Sequence, residues 1–459
     1  MDGIVGRRRT ERHRRAYLQI RCATRSQSNE AVWLPRYVEN VLSFAVPVHQ
    51  QSGFQKVYGR KETPSQRHFQ VLGVCGIRWK EIEVSANTKE GSGTSGARIL
   101  VYGAGPLGSL FAARLQEGGN DVSILARRQR LTDLREHGIV LHDVNTDQQT
   151  VTWVNVVEAL AAGDAYDLIL VIMRKNHALD ILPILAANRH TPNVLFLMNN
   201  AAGPGELVDA LGVERVLIGF PRSAGYFEGH IVHCLAGREE DEAAIPFGEV
   251  DGAITDRTKK VARILETAIG YKAEIRTDMD DWLKTHVALL MPSLCPALYA
   301  AGIDNYRLAR TRDGLVLAIR AIREGFQMLR ALGIPITPAN MKIFEWIPEP
   351  ILIVLLRRLI TLDAMEVALV GHANVARDEI QHLTDEFLAL TRNTSVPTPA
   401  IDKLYPYLDP NTPLMPEGSR QIPLKWGGLL VGLCVLTVVL MGLIFIVKII
   451  RLSRTGSLW

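Results

Sequence analysis

The chain has 459 residues, of which 47% are hydrophobic, and a formal charge of +4. That length allows two or three domains with a sizeable core, and the composition suits a globular protein or one with a single membrane segment. The charge is uneven. Residues before Ala97 are strongly basic and the remainder slightly acidic, so no nucleic-acid partner is expected for the folded part. The cysteines, Cys22, Cys75, Cys234, Cys295 and Cys434, are scattered with no C-x-x-C, which implies neither a disulfide framework nor a metal site.

In chain order, residues 1–96 stand apart. Arg7, Arg8, Arg9, Arg12, Arg14 and Arg15 crowd the start, and Gly91 to Gly96 read as a flexible linker. The segment reads as a disordered basic extension. Upstream sequence included by an early start codon and an Arg-rich transit peptide are the other two readings. From Ala97 a β-α alternation begins. Arg98 to Tyr102 is a strand, and Gly103-Ala104-Gly105-Pro106-Leu107-Gly108 has the G-x-G-x-x-G pattern running into a helix. In such a turn Gly103 allows the bend, Gly105 lets backbone approach a pyrophosphate, and Gly108 lets helix and strand pack closely. Pro106 and Leu107 open the helix, whose N-terminus favours phosphate.

Asp121 to Ala126 is the second strand and Arg130 to His137 a short helix. Val151 to Val157 is strand-like, and Asp167 to Met173 is an apolar strand of the kind buried on both faces. Ala178 to Ala187 is helical. Val194 to Met198 and Val216 to Phe220 are further strands, and two shorter ones lie within 230–250. Alternation of this kind predicts a Rossmann-like, doubly wound α/β sheet over 97–256. After about Arg257 the period becomes helical, with helices over 280–291, 308–332, 350–362 and 363–392 in a domain spanning 257–408. A proline-rich linker over 409–425 then leads to Trp426 to Val447, about 22 residues without a charge, which is long enough to cross a bilayer. Trp426 marks one edge and Lys448, Arg451 and Arg454 the other, so a single-pass C-terminal anchor is expected. The nucleotide domain argues for a cytoplasmic catalytic part. The charges flanking the span mildly favour the opposite orientation.

The second strand bears on the choice of nucleotide. It ends in Arg127-Arg128 with Arg130 close behind, where an acidic residue would hold a ribose 2′-hydroxyl. Guanidinium can fork onto a 2′-phosphate, so NADP(H) is the expected cofactor.

With these motifs in view, the chain resembles the ketopantoate reductase family over roughly 97–408. The resemblance rests on the glycine turn with Arg127, on Asp167 to Lys175, on Asn199-Asn200-Ala201-Ala202-Gly203, on Asp281-Trp282-Leu283-Lys284, and on Asp378-Glu379-Ile380 followed by Val396-Pro397-Thr398-Pro399. It implies an NADPH-dependent reductase of a small 2-oxo acid, by default 2-dehydropantoate, with its site in a cleft between the domains. Residue by residue it implies Lys284 as the catalytic lysine and Glu379 as the glutamate that orients substrate and steadies Lys284. Asn199 would be the asparagine near the nicotinamide. Arg174 would be a cofactor-side cation, with Lys175 the alternative after a one-residue slip.

The chain also departs from the family. Ala288 and Pro292 occupy places where the family carries substrate-holding asparagines, and Gly371-His372-Ala373-Asn374 stands where an Asn/Ser pair is usual. His372 and Asn374 could supply polar contacts or be ordinary helix-face residues. A membrane-tethered NADP(H)-binding protein without turnover, and a reductase of another carbonyl compound, are the competing functions. A homodimer is the expected assembly if the chain self-associates.

Overall fold

The computed structural model describes residues 96–427 and residue 441. All of the basic extension except Gly96, and most of the uncharged run from Trp426, lie outside the described residues. Among the described residues no helix is long and apolar enough to cross a membrane.

Twelve strands build two sheets. In chain order they are β1 (Arg98–Tyr102), β2 (Asp121–Leu125), β3 (Ile139–Asp143), β4 (Gln148–Thr152), β5 (Asn155–Val157), β6 (Leu168–Val171), β7 (Val194–Leu197), β8 (Val216–Gly219), β9 (Ala224–Glu228), β10 (Ile231–Leu235), β11 (Ala243–Glu249) and β12 (Tyr271–Ile275). The larger sheet runs β12-β11-β8-β7-β6-β1-β2-β5, and the smaller runs β4-β3-β10-β9. In the larger sheet every pair is parallel except β11 with β8. Its central strands β6, β7 and β8 are buried at every position. Layers on both faces leave no polar side to alternate with, so they read as continuous apolar runs. Helix α1 (Pro106–Glu117) packs Leu110, Phe111 and Leu115 onto this sheet, with proline in its first turn where a missing N–H costs nothing.

Two sequence-based boundaries move. The strand expected over 151–157 is two strands in different sheets, and β3 was not anticipated at all. The nucleotide domain also extends beyond 256, because β12 pairs in parallel with β11 at its edge. Helix α4 (Asp256–Leu265) therefore covers the sheet, burying Val261, Ala262, Ile264 and Leu265, and does not begin the helical domain. Its first turn is capped by Thr255, whose side chain accepts from the Thr258 N–H while Thr258 returns the bond.

The helical domain starts at α5 (Met279–Leu289), which continues through a π-helical turn, Leu290–Leu294, into Cys295–Ala300. Pro292 supplies a cause. It has no N–H for the Ala288 carbonyl, and the Ser293 hydroxyl donates to that carbonyl at 3.2 Å and to Leu289 O at 2.6 Å. The long helix α6 (Arg312–Ala331) is the centre of this domain, with α7 (Glu349–Ile360) beside it. The helix expected over 363–392 is broken. A π-helical turn at Glu366–Gly371 and a non-helical Ala376 precede α8 (Arg377–Thr391).

The expected linker over 409–425 is instead strapped to the helical domain. Asp313 accepts from the N–H groups of Gln421 and Ile422, Met415 N donates to Ala300 O, and Arg320 donates to Pro423 O. The domains meet where Met365 and Val367 pack on Leu235, Ala224 and Tyr226 of the smaller sheet.

Candidate functional site

The glycine turn lies between β1 and α1. Gly103 has φ of +119°, and a Cβ there would stand 2.5 Å from Ile172 O. A Cβ on Gly108 would stand 1.8 Å from Gly103 O, so helix and strand touch through backbone. At Gly105, by contrast, a Cβ would meet nothing within 4 Å. That side of the turn is open beside the N-terminus of α1, where no side chain caps the free N–H groups. Pro106 is the first helical residue, and Leu107 is partly buried against the core.

Arg127 follows β2. It is exposed, and its guanidinium donates to the Tyr102 hydroxyl at 3.2 Å, at the end of the neighbouring strand. Arg128 is also exposed and holds φ of +54°. Arg130 is committed elsewhere. It donates to Ser109 Oγ and His230 O and lies over the Phe227 ring at 4.7 Å. Burial lowers its pKa from the ordinary arginine value.

The turn into the short helix Lys175–Ala178 separates two cations that the sequence left as alternatives. Arg174 points outward to Asp378 at 3.0 Å and also donates to Val375 O. Lys175 is fully buried. Its ammonium lies 3.2 Å from Asn200 Oδ1, 3.4 Å from Glu206 and 3.6 Å from Glu386. Thus the lysine, not the arginine, is turned inward toward the loop after β7. In that loop Asn200 also donates to Gly203 O and accepts from Gly203 N. Asn199 is 8% exposed, and its Oδ1 is buried with no hydrogen-bond partner among the described residues. An acceptor held unpaired in this way fits a donor on a bound cofactor.

Helix α5 brings Lys284 over the same loop. A Cβ placed on Gly203 would stand 3.5 Å from both Lys284 Nζ and Asp280 Oδ1. Lys284 is 7% exposed and donates to Asp280, one helical turn earlier. The carboxylate that steadies Lys284 is therefore Asp280, whereas Glu379 had been expected. The i, i+4 spacing on a helix was the available signal. Asp281 next to it has its pKa raised, by burial first and then by the Asp280 charge.

Glu379, on α8, is 3% exposed and accepts from the Lys175 N–H at 3.2 Å. Burial pushes its carboxyl up to about 7, against the lowering effects of that hydrogen bond and of Arg174. His372 Nε2 lies 3.8 Å away, and burial holds this imidazole down to about 4, so it is neutral at pH 7. Asn374, its companion in the sequence reading, is exposed. His286, on α5, stacks on Trp282 and packs on Phe220, and burial drives it down to about 3. Of the two positions where asparagines were missed, Ala288 is buried, and a Cβ on Gly325 of α6 would meet it at 3.3 Å, while Pro292 shapes the π turn.

The arrangement therefore joins a backbone anion cradle, exposed guanidinium groups and an orphan acceptor to an ammonium and a carboxyl of raised pKa. Such groups can hold a dinucleotide, donate a proton to a developing oxyanion and orient a hydroxyl. Among the described residues no group of His, Cys, Asp and Glu is placed to hold a metal ion.

Comparison with known proteins agrees with the fold and the turn. Residues 99–249 match the family model described as ketopantoate reductase PanE/ApbA. An uncharacterized oxidoreductase, YkpB, of Bacillus subtilis (strain 168) is 27% identical over 251 residues, 53% of this chain and 78% of that protein. A 2-dehydropantoate 2-reductase of Archaeoglobus fulgidus is 26% identical over 240 residues, 51% of this chain and 75% of that protein. Among solved structures, the ternary structure of D-mandelate dehydrogenase with NADH and anilino(oxo)acetate superposes with a TM-score of 0.54 at 15% identity, covering 68% of this chain and 96% of the other. At that identity the likeness is one of fold.

Proposed function

We propose that this chain, an oxidoreductase of the ketopantoate reductase family, reduces a small 2-oxo acid with NADPH, with 2-dehydropantoate as the default substrate. One observation carries the reading. Lys284, a buried ammonium, lies against the Gly203 turn, in the same loop beyond β7 that carries the orphan acceptor of Asn199. A nicotinamide held by this site would supply the hydride that the carbonyl carbon requires. Lys284 Nζ stabilises the negative charge that develops on the carbonyl oxygen and transfers a proton to it, leaving a hydroxyl. Asp280, which accepts a hydrogen bond from Lys284, aims that ammonium. Glu379 accepts from, or donates to, the substrate hydroxyl, as its raised pKa permits near neutrality. The open face at Gly105, at the helix start formed by Pro106, Leu107 and Gly108, would hold the pyrophosphate, and Arg127 would hold the 2′-phosphate. Arg174 braces the cleft through Asp378, while Lys175 supports the loop of Asn199 and Asn200.

The packing of Ala288 and Pro292 favours a second reading, in which the substrate is a 2-oxo acid other than 2-dehydropantoate. Neither side chain donates a hydrogen bond, and a site discriminates between hydroxylated substrates through such donors. A panel of 2-oxo acids followed at the NADPH absorbance separates the two. Oxidation with 2-dehydropantoate above all others supports the first, and a preference for an acid lacking its hydroxyl supports the second. A protein that binds NADPH and oxidises it with no member of the panel leaves the non-turnover reading standing. Lys284→Ala should lower kcat by about 10²-fold or more with NADPH affinity retained. Unchanged turnover removes Lys284 from the mechanism.

The uncharged run from Trp426 is proposed as a membrane tether on its sequence alone. Full-length protein that stays in the supernatant when membranes are sedimented would refute it.

A further inference from the structure

We propose that the outer face of α7 is a membrane-contact surface, fitted to the headgroup layer of an anionic bilayer. The inference rests on the tether reading and adds to it a defined docking orientation of the folded domain.

Helix α7 is apolar on two sides. Leu352, Ile353, Leu356 and Ile360 face the core. The opposite stripe carries Ile351 and Val354, 40% and 52% exposed, at i and i+3, with Arg358 one turn further on. Just before the helix, Trp346 is 72% exposed. A soluble helix on a domain surface ordinarily presents polar residues on its outer side, so two exposed β-branched residues there, with an exposed tryptophan just before the helix, mark an interaction face. Its basic end selects among partners. Arg357 and Arg358 are exposed at the C-terminal end of α7. Tryptophan at one end, aliphatic side chains between and arginine at the other is the pattern of a helix lying in a bilayer interface beside anionic lipid.

The strap connects this face to the tether. Glu349, the first residue of α7, accepts from the Lys425 N–H at 3.0 Å while it holds Arg320 in a two-bond pair. The chain is thus fixed at the N-terminal end of α7 one residue before Trp426, itself 52% exposed, where the uncharged run begins. A residue spans at most about 3.6 Å, so a tether leaving here holds the stripe close to the bilayer it enters. Tethering at this point would raise the local concentration of lipid at the neighbouring patch.

Full-length protein reconstituted into vesicles of phosphatidylcholine and phosphatidylserine, with and without brominated lipid, tests the proposal. The signal is the Trp346 fluorescence, taken as the difference between the wild type and Trp346→Phe. The expected result is about a two-fold loss of that signal with brominated lipid, for an indole within the headgroup and acyl boundary. The loss should disappear in Ile351→Glu/Val354→Glu, whose side chains are exposed and whose exchange leaves the core intact. Protein that sediments with vesicles but shows an unquenched Trp346 overturns the proposal and leaves the tether standing. Protein that does not associate with vesicles overturns the tether first, and the docking face with it. A blue-shifted but unquenched Trp346 signal, with a concentration-dependent mass in detergent, assigns the face to a second copy of the chain and overturns the bilayer.

Discussion

At the scale of single residues, the cleft is organised by which charges are exposed and which are buried. Arg127 and Arg130 follow the same strand, yet Arg130 is spent on Ser109, His230 and Phe227, whereas Arg127 is exposed beside Tyr102. Arg127→Ala should therefore weaken NADPH by about ten-fold or more and NADH much less, because only the former offers a 2′-phosphate to a guanidinium. Titration of both nucleotides by fluorescence checks this, and equal losses would remove the phosphate role. The buried titratable groups set opposite pH limbs of stability. Glu379 is raised from 4.5 to about 7, so folding favours its protonated form. That contribution is complete below pH 4.5 and is lost as pH rises through about 7. His286 is lowered from 6.5 to about 3, so its contribution is present above pH 6.5 and is lost as pH falls toward 3. Urea midpoints measured across pH should show Glu379→Gln gaining on the wild type above pH 7 and His286→Gln losing less than the wild type below pH 6. Parallel curves for wild type and variants would show that neither group is linked to folding.

At the scale of elements, the glycine turn separates folding from binding. Gly105 has an ordinary φ of −68° and open space where a Cβ would stand, so Gly105→Ala should keep its melting temperature and lose NADPH affinity by about ten-fold through a methyl group set in the path of the pyrophosphate. Gly108→Ala should instead lower the melting temperature, because its methyl group must displace the Gly103 carbonyl. Thermal melts with and without NADPH distinguish the two. Equal melting losses would mean that Gly105 is a packing residue as well. The same contrast explains what the sequence could show. Strands β6, β7 and β8 were legible because burial on both faces removes every polar residue, and β1 because only its first residue, Arg98, is exposed. The smaller sheet was legible only in part: β10 falls among the short strands expected within 230–250, but β4 is Gln148-Gln149-Thr150-Val151-Thr152 and exposed at all but its last position, so nothing apolar announces it. The π turns at 290–294 and 366–371 hide within an apolar helical period. At the end of β6 two adjacent cations differ by which way one peptide turns, and composition carries no record of that. The glycine turn, Lys284 and Glu379 were named from sequence motifs, and their roles at the site rest on the proposal above. Asp280 was not named, although its spacing from Lys284 was in plain sight.

At the scale of the whole molecule, a carboxylate far from the cleft ties the C-terminal strap to the helical core. Glu349 is 1% exposed, receives two hydrogen bonds of 2.8 Å from Arg320 and a third from Lys425 N. These hold its pKa below the ordinary glutamate value even though burial alone would raise it. Removing the carboxylate leaves the Arg320 guanidinium, itself largely covered, without its main partner. Breaking such a pair from one side costs about 3–5 kcal/mol, because the surviving charge remains desolvated. Glu349→Ala should therefore reduce the urea midpoint substantially and, at lower urea, open the strap to proteolysis between 409 and 425. The strap's other ties, Asp313 to Gln421 and Ile422 and Arg312 to Ile422 O, are made in the first turn of α6, before Arg320, and do not involve Glu349. Cleavage in Glu349→Ala should thus concentrate near Lys425, whereas in Asp313→Ala it should spread toward Arg420. Because neither residue belongs to the cleft, NADPH affinity at 25 °C should be unchanged in both. A strap that remains resistant in both variants would mean that Met415, through its bond to Ala300 and its buried side chain, is sufficient to hold it.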